Sequence, residues 1–436
     1  MRPDNRTIGL ERATLILLGT VQVTLIASIT LITVALPQIQ HDLGADPPDL
    51  VLVASAYGLS FGGLLLLGGR LADLFGPRRA LIAGMTVFGA ASAVAAAAPG
   101  LGVLLAARLG EGVGAALAAP AAMALVGDVL PDRRRYGRAM AVWGVLSSSG
   151  ATAGNVLSGV AATWMSWRWL FLLPLAVAIV TVAAARRLVP EGLPRSGGRI
   201  DWPGAFLATA GLGALLYGLG HSAWAVAIGL AVLVLFGLVE HHSPVPLTPL
   251  PFVRGRALPL IATALTAAAM ATAFYLLALY LQQVRGLSPL RTSMVLLLPA
   301  PALAAAGVLA GPLIARLGAR RVMIAGLVVT AAGLFLLARL GLPYAGLVVF
   351  SLGAGTTFAA ATVSAMDGVP AEQAGLAGGV LNSAMEIGPP AGLTLLTSLA
   401  AAHSRDVPAG YAFALRAAAI AFVLTALTAL LRRGTK

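Results

Sequence analysis

The chain has 436 residues, of which 59% are hydrophobic and only 10% charged, with a mean hydropathy of +0.91. Soluble domains carry about 25% charged residues, so no aqueous core could bury this much apolar surface and the solvent must be lipid. The net charge of +13 does not read as a nucleic-acid footprint, because the arginines fall in short gaps between apolar runs, and the absence of cysteine excludes disulfides and thiolate metal sites.

The first apolar run, 13–36, follows Arg2, Arg6 and Arg12. It exceeds a signal-peptide core of about 7–15 residues and lacks a small-x-small cleavage site, so it reads as a spanning helix that starts inside. Further runs near the spanning length of about 20 residues lie at 50–69, 80–98, 101–126, 138–162 and 168–186. A polar stretch from Arg186 to Asp201 follows. Two shorter runs, 203–219 and 224–240, stand at the lower limit of about 17 residues, so a re-entrant hairpin is an alternative there. Beyond a linker at 241–256 come 257–283, 292–315, 321–338, 343–365, 375–402 and 411–431.

An internal repeat checks this reading. Gly69 to Gly84, GRLADLFGPRRALIAG, returns 242 residues later as Gly311 to Gly326, GPLIARLGARRVMIAG, with eight identities in sixteen ungapped positions. A repeated loop with its flanking helix ends implies two related halves, a pattern common in secondary transporters. The offset fits two six-helix bundles with two inserted helices, about 14 transmembrane helices in an all-α membrane protein. The domains are then an N-terminal bundle at 1–186, cytoplasmic linkers and two inserted helices at 187–256, and a C-terminal bundle at 257–436. With both termini inside, most arginines fall on inner loops, and only Arg168, Arg285, Arg291, Arg339 and Arg405 fall outside. That bias sets topology.

Gly69, Leu71, Ala72, Asp73, Gly76, Arg78 and Arg79 resemble the loop signature of the major facilitator superfamily, and Arg108, Gly110, Glu111 and Gly112 resemble its fourth-helix arginine motif. Ala35-Leu36-Pro37, Trp167-Arg168-Trp169, and Asp201-Trp202-Pro203-Gly204 before the inserted pair are similar to the fourteen-helix drug:proton antiporter branch. Several positions depart from that pattern. Ser28 stands where the branch carries an aspartate, Glu111 where it has glutamine, and Pro77 at the first basic position after the loop glycine. In the helix-five antiporter motif, Ala151 and Asn155 replace a proline and a glycine. Ala315 replaces Asp73 in the second repeat.

The resemblance implies a proton-coupled efflux transporter working by alternating access on a small, largely apolar drug or antibiotic. It implies a monomer in a bacterial inner membrane, with no cofactor, metal or nucleic-acid partner. A proton-coupled uptake symporter of the same fold and a transport-silent membrane sensor remain alternatives. It also implies a conformational latch at Gly69, Asp73, Gly76, Arg78, Arg79 and Asp128, with Asp73 packing on the N-terminus of the helix that starts near Ala371, where partial positive charge attracts a carboxylate.

Intramembrane charge points to function by default. Arg108 and Glu111 are three apart and share a helix face, as a charge switch or as a buried ion pair that only locks helix four. Glu386 has no basic residue near it in sequence, and apolar surroundings that penalise its charge suit a proton carrier or a neutral group that binds substrate. Proton coupling is therefore expected at Glu386, Glu111 and Arg108. A substrate cavity is expected to draw on Gln22, Ser28, Thr33, Tyr275, Gln282 and Asn382. The five histidines lie in loops or at helix ends without metal spacing, and there is no phosphate-binding glycine loop with lysine, so the chain does not read as an enzyme.

Overall fold

The computed structural model describes residues 5–130, 132–189, 202–243, 250–340, 343–369, 374–403 and 406–431. Among them the regular structure is helical, and eleven helices are long and apolar enough to cross a membrane. Runs 138–162, 203–219 and 375–402 also fold as helices but are not among those eleven. The chain forms two compact units, Met1–Thr209 with Ser243–Leu247 and Ala210–His242 with Thr248–Lys436.

The first unit opens with α1 (Asn5–Thr30), α2 (Leu36–Leu43), α3 (Pro47–Phe75), α4 (Pro77–Ala96) and α5 (Leu101–Val129). It continues with α6 (Arg133–Trp164) and α7 (Leu172–Leu188), the latter entered through a 3-10 turn at Trp167–Phe171. The run at 13–36, expected as one helix, breaks after Thr30 and resumes at Leu36. Pro37 has no N–H to offer the carbonyl of Thr33, so the helix cannot run through it unbroken. The break is braced by α6: the Ser158 hydroxyl accepts from Val34 N and Ala35 N at 3.1 Å each, and Thr30 Oγ1 donates to Ala151 O at 2.8 Å. On the far side, Trp167 Nε1 donates to Asp42 Oδ2 at 3.1 Å, tying α2 to the start of α7.

Small residues let these helices approach closely. Gly68 faces the backbone of Ala116, and Gly84 and Gly114 face each other, so α3 and α4 both lie backbone to backbone on α5. Leu18, Leu25, Leu81, Met85 and Phe88 fill the space that remains.

The inserted pair is α8 (Trp202–His221) and α9 (Ala223–His242), each 20 residues and so longer than the apolar runs implied. Gly218 packs on Val226, and Gly229 on Leu215. Most of α9 faces outward, with Trp224, Ile228, Val234 and Leu238 exposed. The second unit continues with α10 (Leu250–Gly255), α11 (Ala257–Leu279) ending in a π turn at Tyr280–Val284, and α12 (Pro289–Val295). It closes with α13 (Pro299–Leu317), α14 (Ala319–Leu337), α15 (Pro343–Met366), α16 (Ala374–His403) and α17 (Val407–Leu431).

The repeat reappears as geometry. α3 and α4 are joined by Gly76 at φ 89°, ψ 140°, and α13 and α14 by Gly318 at φ 84°, ψ 148°. Both values lie where a side chain is strained, which explains why glycine recurs at both positions. Pro77 then occupies the first position of α4, where a missing N–H costs nothing, and this gives the departure from the loop signature a physical reason. The pairings α4–α5, α1–α6 and α4–α7 recur as α14–α15, α11–α16 and α14–α17.

Candidate functional site

In the first unit the charged residues of α5 meet partners from two other helices. Arg108 and Glu111 are fully buried at 0% exposure. Arg108 Nη1 donates to Glu111 Oε2 at 2.9 Å, and the Ser92 hydroxyl on α4 lies 2.7 Å from Glu111 Oε1. The guanidinium carbon sits 4.9 Å from the centroid of the Tyr57 ring on α3, and Tyr57 Oη donates to Leu25 O on α1 at 2.8 Å. Three helices thus meet at one ion pair, with α1 tied in through Tyr57. Gly112, beside Glu111, makes this convergence sterically feasible, since a Cβ there would run into Tyr57 O and the Ser60 hydroxyl. Arg108 Nε and Nη2 are buried without a hydrogen-bond partner among the described residues. That leaves donors available for a rearranged network, and a buried orphan donor is costly enough to favour one.

The remaining expected residues of this unit are less concentrated. Ser28 is buried and donates to Thr24 O at 2.9 Å, so the hydroxyl standing where the branch has an acid is engaged by its own helix. Gln22 is buried, and Thr33 falls inside the break after α1. Of the latch residues, Gly69 and Asp73 lie within the last two turns of α3, Gly76 joins α3 to α4, and Asp73 is half-buried. Arg78 Nη2 donates to Arg186 O at the end of α7, while Arg79 and Asp128 are exposed. The counterpart expected for Asp73, around 370–371, lies outside the described residues.

In the second unit Glu386 is buried at 9% exposure within α16 and forms no ion pair among the described residues. Asn382, one turn earlier, is exposed, so the face carrying the two residues is open at one level and closed at the next. Gly388 and Gly392 press α16 onto Ala264 and Ala268 of α11. Pro389 and Pro390 lie inside α16 and remove the two N–H donors that a regular helix directs at the carbonyls of Met385 and Glu386. The acid therefore sits where its own helix is weakest. The sequence carried this signal, and it escapes a reading focused on charge. Tyr275 is buried and Gln282 half-buried in the π turn. A small apolar cavity is lined by Leu276, Tyr280, Leu337, Leu340 and Tyr411, and it contains none of the residues expected to bind substrate.

Ser92 and Tyr57 are the members of this candidate site that a reading of the sequence misses. Ser92 is an isolated polar residue in an apolar run, Tyr57 shares its apolar helix with another aromatic, Phe61, and neither pattern singles them out.

The family model for the Major Facilitator Superfamily matches residues 18–388 and 259–436. The chain is 34% identical over 407 residues to the puromycin resistance protein pur8 of Streptomyces alboniger, covering 88% of this chain and 81% of that protein. It is 33% identical to the lincomycin resistance protein of Streptomyces lincolnensis, with 88% and 84% covered. It is also 33% identical to the cephamycin export protein CmcT of Amycolatopsis lactamdurans, with 91% and 86% covered. In fold it is similar to an auto-inhibited POT family peptide transporter, at a TM-score of 0.72, 16% identity and 97% and 98% of the two chains. The human organic anion transporter MFSD10 matches at a TM-score of 0.67, 18% identity and 96% and 99% coverage. With its apolar spanning helices and these relatives, the chain is a multi-pass membrane transporter that belongs to the Major Facilitator Superfamily.

Proposed function

We propose that the protein is a proton-coupled exporter of small, largely apolar drugs or antibiotics, working by alternating access in a bacterial inner membrane with both termini cytoplasmic. In this reading all fourteen long helices span, and α8 and α9 are an insertion outside the two six-helix bundles. The relatives named for antibiotic resistance and export support the substrate class. The observation that carries the coupling is the contrast between two buried carboxyls. Glu111 is held by Arg108 and Ser92, whereas Glu386 sits without an ion pair among the described residues. A carrier must load and release its proton in each cycle. Glu386 fills that role, and Arg108–Glu111 acts as a charge switch that responds to substrate. Gln22, Ser28, Thr33, Tyr275, Gln282 and Asn382 supply polar contacts to the substrate. Asp73 and Arg79, with Gly69, Gly76, Arg78 and Asp128, form the latch.

The test is substrate flux in proteoliposomes with and without an imposed pH gradient. Glu386→Gln is expected to abolish gradient-driven flux while retaining substrate binding and exchange. Full gradient-driven flux in this variant would remove Glu386 from the coupling. Gradient-driven accumulation in the direction of uptake would overturn export itself.

A further inference from the structure

We propose that Arg78 and Arg320 perform one task in the two halves: each caps the C-terminal turn of a later helix in its own unit, α7 for Arg78 and α17 for Arg320, and thereby fastens the glycine loop that precedes it. The two arginines occupy the same position of the sixteen-residue repeat, two residues after Gly76 and Gly318. Both glycines have nearly the same backbone angles, so both arginines leave the loop in the same direction, as the second residue of α4 and of α14. Arg78 Nη2 donates to Arg186 O, two residues before the end of α7. Arg320 Nε and Nη2 donate to Ala429 O at 3.1 and 2.6 Å, two residues before the end of α17.

The chemistry fits the position. The last four carbonyls of a helix have no partner within it, and that end carries partial negative charge, so a guanidinium supplies both donors and complementary charge. Arginine suits the task better than lysine, because its planar fork can place two N–H groups on one carbonyl, as Arg320 does. The repeat separates this task from that of the latch's acid, Asp73. The second half keeps the glycine and the arginine but has Ala315 in place of Asp73. What the halves share is therefore the cap, and what belongs to the first half alone is the acid. The proposal rests on the latch reading only in giving Asp73 a separate role.

Hydrogen–deuterium exchange on the purified full-length protein in detergent tests this directly. Arg78→Gln is expected to raise exchange about two- to fivefold in amides of 183–189 and to leave 426–431 unchanged. Arg320→Gln is expected to do the reverse. Arg78→Lys and Arg320→Lys, which keep the charge and lose the fork, should fall between wild type and the glutamine variants. Unchanged exchange at both helix ends would overturn the proposal, as would equal loosening of both ends by either single variant. Asp73→Asn, which tests the latch, should leave both ends as they are, so the two ideas fail separately.

Discussion

The buried ion pair on α5 gives the sharpest test of whether charge in the first half works or merely locks. Arg108 and Glu111 are both at 0% exposure and 2.9 Å apart. Replacing only one partner leaves an uncompensated charge away from water, which costs about 3–5 kcal/mol. Replacing both with apolar residues of similar volume is often neutral or stabilising, because neither charge must then be desolvated. Arg108→Met and Glu111→Leu should therefore each lower the melting temperature by on the order of 10 °C, taking about 2–4 °C per kcal/mol for a unit of this size. The double variant should recover most of that loss. Melting in detergent, followed by intrinsic fluorescence, completes the double-mutant cycle. Flux is then measured on the double variant, whose fold is intact. Loss of transport in that stable protein is the expected result, since the charge switch is gone. Full transport would reduce the pair to a lock, and additive losses of stability would mean that the two residues do not interact at all.

Two further outcomes follow from the geometry. If the proposed latch holds, Asp73→Asn removes a helix-end interaction worth about 0.3–1 kcal/mol when exposed and up to about 2 kcal/mol when partly buried. The population should shift toward inward-facing states, and cysteine accessibility from each side, on a chain without native cysteine, reads this out; unchanged accessibility refutes the latch. Gly112→Ala should destabilise by about 1–3 kcal/mol, because its Cβ would run into Tyr57 O and the Ser60 hydroxyl. Gly102→Ala, on the same helix with open space around it, should instead be neutral or slightly stabilising. Equal melting points for the two variants would show that α3 and α5 are not in close contact at Gly112.

Much of this protein was legible in its sequence because the signals are local. The apolar runs gave the membrane class, since hydrocarbon leaves a chain little choice but helices. The repeat pointed to two related halves, and both copies carry glycine at the positive-φ joints Gly76 and Gly318. The Arg108–Glu111 pair was visible too, because a spacing of three brings side chains together on any helix. Contacts between helices were not legible. Ser92 and Tyr57 join that pair from 19 and 51 residues away, where no periodicity connects them. The break after α1 has its cause in Pro37, but its bracing by Ser158 comes from 123 and 124 residues further along. Arg78 was expected in the latch and Arg320 only among the inner-loop arginines, and neither expectation pointed to the ends of α7 and α17, 108 and 109 residues away. Periodicity decides which faces are apolar. Only the close approach of backbones at small residues decides which polar atoms meet.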